Sequence, residues 1–407
     1  MDAISLCRRL IRARTVLGNE GEAVDVAEDA MRALGFDEVW RDEPGNLIGT
    51  LHGELPGTVL FDGHLDVVDA GDVARWRCDP FGGELIDGRL YGRGAVDMKG
   101  PVAAMIAGIA AIRGRPKEAR RTIYVSCSLV EELVEGLALR EVLERLKPDA
   151  VVIGEPTNGR LAIAQRGRGE ILIEAVGKAA HSAYPHEGVN AAEAIADLII
   201  ALRAMPAPTD DILEPGYHVL TEIWSEPRPS GSTVPYYAGA AYDRRLLPGE
   251  TPESVLAPIR AAAQRLKASE TRETPTSAEY RISIVRSKIT TYRGVTLVGD
   301  RFAPGWKLGR NHPIVEAALS GLRAAGQPGE PIAYATCTNG SASAGWYGIP
   351  TIGYGPGVNE RSHGVDEYIA VDELTAGVSG YTALAWAVAT APSLPRLPGV
   401  DGVAKTT

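Results

Sequence analysis

The chain has 407 residues, 45% of them hydrophobic, with a formal charge of −10 and four cysteines. That length fills more than one core. No run approaches the roughly eighteen apolar residues of a membrane span, and an acidic balance without a basic stripe excludes a nucleic-acid partner. Cys7, Cys78, Cys127 and Cys337 form no C-x-x-C pair, so any metal rests on histidines and carboxylates rather than thiolates.

In chain order, MDAISLCRRLIRAR spaces Ile4, Leu6, Leu10 and Ile11 as one face of a helix and lacks the apolar core of a signal peptide, so a cytoplasmic location is expected. TVLFDGHLDVV then reads as a buried strand that ends on His64 and Asp66. Burying an imidazole beside a carboxylate is costly unless something pairs with them, and a metal ion is the strongest partner available. Residues i and i+2 share a strand face, so Asp66 is expected to accept the second ring N–H of His64.

GRLYGRGAVDMKG places Asp97 after a Gly-rich loop and before a helix that starts near Lys99; alone, it reads as an N-cap. Gly92-x-Gly94 does not extend to G-x-G-x-x-G, which excludes a nicotinamide site. TIYVSCSLV is the next strand, followed by the adjacent Glu131 and Glu132, a helical pattern over Gly136–Leu146, and the strand AVVIGEP with Glu155. Neighbouring side chains at a strand end point apart, so one glutamate can bind metal while the other faces water. ERSHGVDEY later supplies His363 in a Gly-flanked loop.

Alternating strands and helices predict an α/β catalytic domain around a mostly parallel sheet, over residues 1–165 and 287–395, with sites beyond the strand C-termini. Residues 166–286 change style to two strand-plus-helix halves and predict an inserted α+β domain with ferredoxin-like topology. Residues 396–407 read as a loose tail. His64, Asp97, Glu132, Glu155 and His363 together suit two divalent ions sharing one carboxylate.

These residues, in this order, resemble the co-catalytic zinc metallopeptidase family of aminoacylases, acetylornithine deacetylases, succinyl-diaminopimelate desuccinylases and glutamate carboxypeptidases. GHLDVV, DPFGGELIDGRLYGRGAVDMKG, EEL, GEPT, GKAAHSAYPHEGVNA, DRRLLPGE, GIPTIGYGPG and SHGVDE carry the resemblance from about Leu60 to Glu367. It implies Asp97 as the shared ligand, His64 and Glu155 on one ion, Glu132 and His363 on the other, and Glu131 as general base. Two zinc ions are implied, with cobalt or manganese as alternatives. It also implies a homodimer through the inserted domain, with His181 reaching the partner's site to polarise the scissile carbonyl.

The resemblance further implies that Arg245 binds a substrate carboxylate, with Arg244 as a surface charge, and that the N–H groups of Gly355 and Gly357 complete the cradle. Ser232 and Asn339 stand where many members carry Asn and Asp, respectively, and are the expected substrate contacts that differ. The implied reaction is hydrolysis of the amide bond of an N-acyl amino acid or similar small carboxylate. A dipeptidase or carboxypeptidase is the alternative within the family. A hydrolytic deaminase and a non-catalytic binding protein are the alternatives outside it; the latter predicts a lost ligand or base, and none is lost.

Overall fold

The computed structural model describes residues 2–16, 18–268 and 278–396, so the expected tail lies, beyond Arg396, outside the described residues. Two compact units are present. The described residues of Met1–Gln165, Lys288–Gly299 and Trp306–Thr407 form the first; Arg166–Ser287 with Asp300–Gly305 forms the second.

The first unit is built on a nine-stranded sheet. Its order is Glu38–Arg41, Leu47–Leu51, Arg121–Ser128, Leu55–His64, Ala150–Ile153, Thr351–Gly353, Ala162–Gln165 and Trp306–Lys307, with Ile332–Tyr334 also pairing on Ala162–Gln165. The four strands from Arg121–Ser128 to Thr351–Gly353 are mutually parallel, whereas the next pairing on either side is antiparallel. The expected parallel character thus belongs to the centre of a mixed sheet.

Parallel strands are covered on both faces and must be apolar on both. Val59, Leu60 and Phe61 accordingly have no exposed surface. Alternation sends Val59 and Phe61 into one core with Val102, Met105, Ile106 and Leu384, and Leu60 into another with Leu139, Val142 and Leu143. Helices Lys99–Ala110 and Val371–Ala389 therefore cover one face, and Leu139–Leu146 the other. A Cβ on Gly108 would come within 2.6 Å of the Val378 carbonyl, so glycine lets the first two helices approach closely. The expected helical pattern from Gly136 begins only at Leu139; Gly136 itself has φ +79°.

Because the central strands are parallel, their C-terminal ends lie along one edge of the sheet. His64, Ser128, Ile153 and Gly353 are the last residues of those strands, and the polar residues singled out above follow them. Among the described residues no helix is long and apolar enough to cross a membrane.

The second unit runs strand Gly167–Val176, helix Ala191–Arg203, strands His218–Glu226 and Tyr237–Leu246, helix Pro252–Ala268 and strand Glu279–Ile284. Its sheet places the His218 strand beside the Tyr237 strand, then the Gly167 strand, then the Glu279 strand, all antiparallel. That is the ferredoxin-like β-α-β-β-α-β arrangement. Burial alternates strictly along Gly167–Val176, as one helix-covered face requires. The unit also takes back Asp300–Gly305, where Phe302–Ala303 pairs with Gly169 and Arg168. A two-residue strand leaves no periodicity to read, so the sequence placed this segment in the first domain.

Candidate metal centre

The parallel edge of the first unit gathers six of the singled-out side chains. His64 ends its strand and is 1% exposed; its Nε2 lies 3.2 Å from Asp97 Oδ1, 3.4 Å from Glu155 Oε1 and 3.8 Å from Glu131 Oε2. His363 Nε2 lies 3.3 Å from Asp97 Oδ2 and 3.1 Å from Glu132 Oε2. Asp97 therefore turns one oxygen to each imidazole. Ligand atoms of His64, Glu131 and Glu155 fall within 4.8 Å of one another, as do those of His64, Asp97 and Glu132.

Asp66 corrects the sequence reading. The strand stops at His64, so the expected shared face is lost. The Asp66 backbone carbonyl, 2.9 Å from His64 Nδ1, takes the ring contact. A carbonyl can only accept, so Nδ1 carries the proton and Nε2 faces the cluster. The Asp66 carboxylate stands 3.5 Å from Nδ1 and instead accepts the Glu131 N–H at 3.1 Å and the Glu132 N–H at 2.9 Å. Val130, just before them, has φ +53°, a costly conformation for a β-branched residue, of the kind that concentrates at functional sites.

The electrostatics fit a cation site. Burial raises Glu131 well above the usual carboxylate range, with Glu155 and Glu132 adding to it against His64. Burial and Asp97 raise Glu132 to about 7 and hold Glu155 up in the same way. Hydrogen bonds to Asp97 and Glu132 raise His363 to about 10. Burial opposes the shift at His64, but Glu155, Asp66 and Asp97 outweigh it and hold the ring well above its ordinary value. Asp97 is held low: hydrogen bonds from His363 and His64 overcome its burial. Crowded carboxylates that keep protons for want of positive charge are what divalent cations relieve. The imidazole and carboxylate donors present suit two such ions.

The remaining expected residues divide. Asn339 is 3% exposed, and its amide is committed to Asp62, Ser128 and the Gly136 N–H; this corrects its expected role as a substrate contact. The Gly355 N–H donates to Thr157 Oγ1 at 3.0 Å, which removes it from the expected cradle. Its lack of a side chain has another cause, since a Cβ would sit 2.5 Å from the Glu155 carbonyl. Gly357 follows at φ +90°.

In the second unit His181 is exposed, its Nδ1 accepting the Ala183 N–H at 3.0 Å. The neighbouring Ser232 has φ +60° and gives its carbonyl to the Ser182 N–H. Arg245 lies 3.0 Å from Asp243 and keeps 31% of its side chain exposed. Arg244, expected at the surface, is 2% exposed and paired with Glu250, a correction that follows from strand alternation.

Among the buried charges that sequence reasoning missed, three touch the backbone around the cluster. Glu367 Oε1 accepts the N–H groups of Val96 at 2.8 Å and Asp97 at 3.2 Å, and Arg93 pairs with its other oxygen at 2.6 Å. Glu20, without exposed surface, accepts from Gly18 and Val130; burial, then Asp66, raises it to about 7. Glu367 stood inside SHGVDE, but nothing local distinguished it from a solvated acid.

The model of the peptidase family M20/M25/M40 matches residues 60–387. The succinyl-diaminopimelate desuccinylase of Rhodospirillum centenum is 36% identical over 277 residues, covering 64% of this chain and 71% of its own. Among solved structures, aminopeptidase PepT from Bacillus cereus superposes with a TM-score of 0.72 at 21% identity, over 95% of this chain and 98% of that one. YXEP of Bacillus subtilis, described as a dinuclear metal binding peptidase from the M20 family, superposes with a TM-score of 0.69 at 13% identity, over 95% of this chain and 97% of that one. A family match across the strand ends that carry the clustered imidazoles and carboxylates leads to one conclusion: the chain belongs to peptidase family M20/M25/M40 and is a metal-dependent hydrolase of amide or peptide bonds.

Proposed function

We propose that the chain hydrolyses the amide bond of an N-acyl amino acid or a similar small carboxylate, releasing an acyl acid and a free amine. The observation that carries this reading is the Asp97 carboxylate, with one oxygen toward His64 and the other toward His363, and Glu131 beside them. In this reading His64 and Glu155 would hold one ion, Glu132 and His363 the other, and Asp97 would serve both. Zinc is the cation the donor set suits, with cobalt and manganese as alternatives. Two such ions, when bound, polarise the scissile carbonyl and acidify water.

Glu131 is the general base. Its buried carboxyl has a raised proton affinity, which matches a group that takes a proton from water and holds it until the amine leaves. Asp66 fixes the backbone from which Glu131 projects. His181 donates to the developing oxyanion, supplied by the partner in a homodimer formed through the inserted unit. Arg245 offers a planar fork to the substrate α-carboxylate, exchanging Asp243 for it. The 36% identity with a desuccinylase supports an acylated amino acid as substrate.

The test is mass spectrometry of products from a panel of N-acyl amino acids and dipeptides, incubated with zinc-, cobalt- or manganese-loaded enzyme. Faster release of acyl acid than dipeptide cleavage is expected. The reverse order makes the chain a dipeptidase or carboxypeptidase, and ammonia without a carboxylic acid product makes it a deaminase.

A further inference from the structure

Two loops of the first unit carry ligands from opposite ends of the sequence, and one buried ion pair joins them. Arg93 precedes Asp97 by one short turn, and Glu367 follows His363. Their side chains are 3% and 0% exposed and meet at 2.6 Å. Glu367 Oε1 accepts from the N–H groups of Val96 and Asp97 at 2.8 and 3.2 Å, and its carbonyl accepts the Gly92 N–H at 2.9 Å. Arg93 in turn donates to the His363 carbonyl at 3.2 Å and the Asp69 carbonyl at 3.3 Å. Its guanidinium also stacks on Trp76 at 5.3 Å.

The hydrogen bonds that leave the pair all end on backbone, among them the N–H of Asp97 and the carbonyl of His363, two proposed ligands. His363 needs such an anchor: its φ is +61°, Asp366 has φ +60°, and its side chain is 51% exposed, so neither intrinsic preference nor burial holds the ring in place. A planar guanidinium suits the task, since one terminal nitrogen meets the carboxylate while the other reaches two carbonyls. Lysine could replace the charge without the geometry.

We infer that the Arg93–Glu367 pair sets the spacing between Asp97 and His363 and thereby couples the two ion positions: it pre-forms the His363–Glu132 position around the carboxylate that the His64–Glu155 position shares. The inference rests on the two-ion reading above. Arg93 and Glu367 are positioning residues, acting through the loops they hold. The pair holds both loops, but the Asp97 loop leads directly into the buried helix Lys99–Ala110, whereas His363, half-exposed at φ +61°, has less else to place it. Weakening the pair therefore strips the second position preferentially. Outer partners of metal ligands typically contribute about 10–100-fold in affinity.

The test is calorimetric titration of zinc into the metal-free full-length chain, with cobalt absorption spectra as the second readout, for wild type, Glu367→Gln and Arg93→Lys. Wild type is expected to take two ions. Each variant is expected to keep one ion at wild-type affinity and to bind the other about 10–100-fold more weakly, with turnover restored by excess metal. Two ions at wild-type affinity in both variants would overturn the inference, as would equal loss of both ions from a folded variant. Failure of both variants to fold would also overturn it, giving the pair a purely structural role. A wild-type chain that takes up one ion or none would sink the two-ion reading itself, a result distinct from any variant effect.

Discussion

In the first unit His64 is 1% exposed and its Nε2 faces three carboxylates within 3.8 Å. In the inserted unit His181 lies exposed, its ring nitrogen accepting a single N–H from Ala183. The arginines repeat the contrast: Arg93 is sealed against Glu367 with 3% exposure, while Arg245 keeps 31% exposure beside Asp243. Charges in the first unit are fixed by one another before any ligand arrives. The proposed functional side chains of the inserted unit are loosely held, and their roles depend on what comes to meet them. Preorganised groups should govern the rate of chemistry, and loosely held ones should govern assembly and recognition.

The largest break in this contrast should come from Glu131. Glu131→Gln removes the proton acceptor while keeping shape, so turnover is expected to fall about 10²–10⁴-fold with both ions retained. Metal analysis and steady-state rates on the same preparation check this. A fully active variant would remove Glu131 from proton transfer.

His181→Ala is expected to lower kcat by about 10²–10³-fold, the scale of a lost oxyanion donor. Mixed with Glu131→Gln under subunit exchange, it should regain activity, because one composite site in the mixed dimer is intact. Mixtures that stay inactive although exchange is demonstrated would confine His181 to its own chain or exclude it from catalysis.

Arg245→Lys keeps charge and loses the fork. KM for acid substrates is expected to rise about 10-fold, near the worth of one charge-assisted hydrogen bond, and the preference for acids over the matched amides should narrow. An unchanged acid-to-amide ratio in kcat/KM would leave Arg245 to its Asp243 contact alone.

The smallest effect concerns pH. Burial, with Asp97 adding to it, raises Glu132 from 4.5 to about 7 in the folded chain, so it loses stability as pH rises through that window. His363 is raised from 6.5 to about 10 by Asp97 and Glu132; its contribution is full below 6.5 and lost as pH climbs toward 10. In both cases the folded chain binds more protons than the unfolded one, so the chelated protein should lose thermal stability steadily from about pH 5 to about pH 10. Cations need the same groups deprotonated, so saturating metal should flatten or reverse the slope. Melting temperatures with and without chelator decide the matter; parallel slopes would uncouple the cluster from cation binding.

Much of the ligand cluster was legible in sequence because strands that need apolar residues on both faces led into His64, Glu131, Glu132 and Glu155, an anomaly visible without coordinates; Asp97 and His363, in Gly-rich loops, gained meaning only as members of the set. The ferredoxin-like insertion was legible through its two strand-plus-helix halves. What stayed hidden depended on distant packing. Glu367 and Arg93 are separated by most of the chain and look like surface charges until the fold seals them. Asn339 was expected at the substrate through the resemblance alone, and nothing local spoke against it because its interior partners, Asp62, Ser128 and Gly136, come from other segments. Asp66 misled differently: the strand ended two residues before it, so alternation no longer governed its direction.

Asp66 performs two separable tasks with two different parts of itself. The His64 tautomer is set by a main-chain carbonyl, so it belongs to the path of the chain, and any side chain compatible with that turn would preserve it. The carboxylate holds the Glu131 and Glu132 backbone, a task that is lost with the side chain. A substitution at this position thus spares the tautomer, while it frees the backbone of both glutamates and removes a negative charge that helps hold the imidazole above its ordinary value.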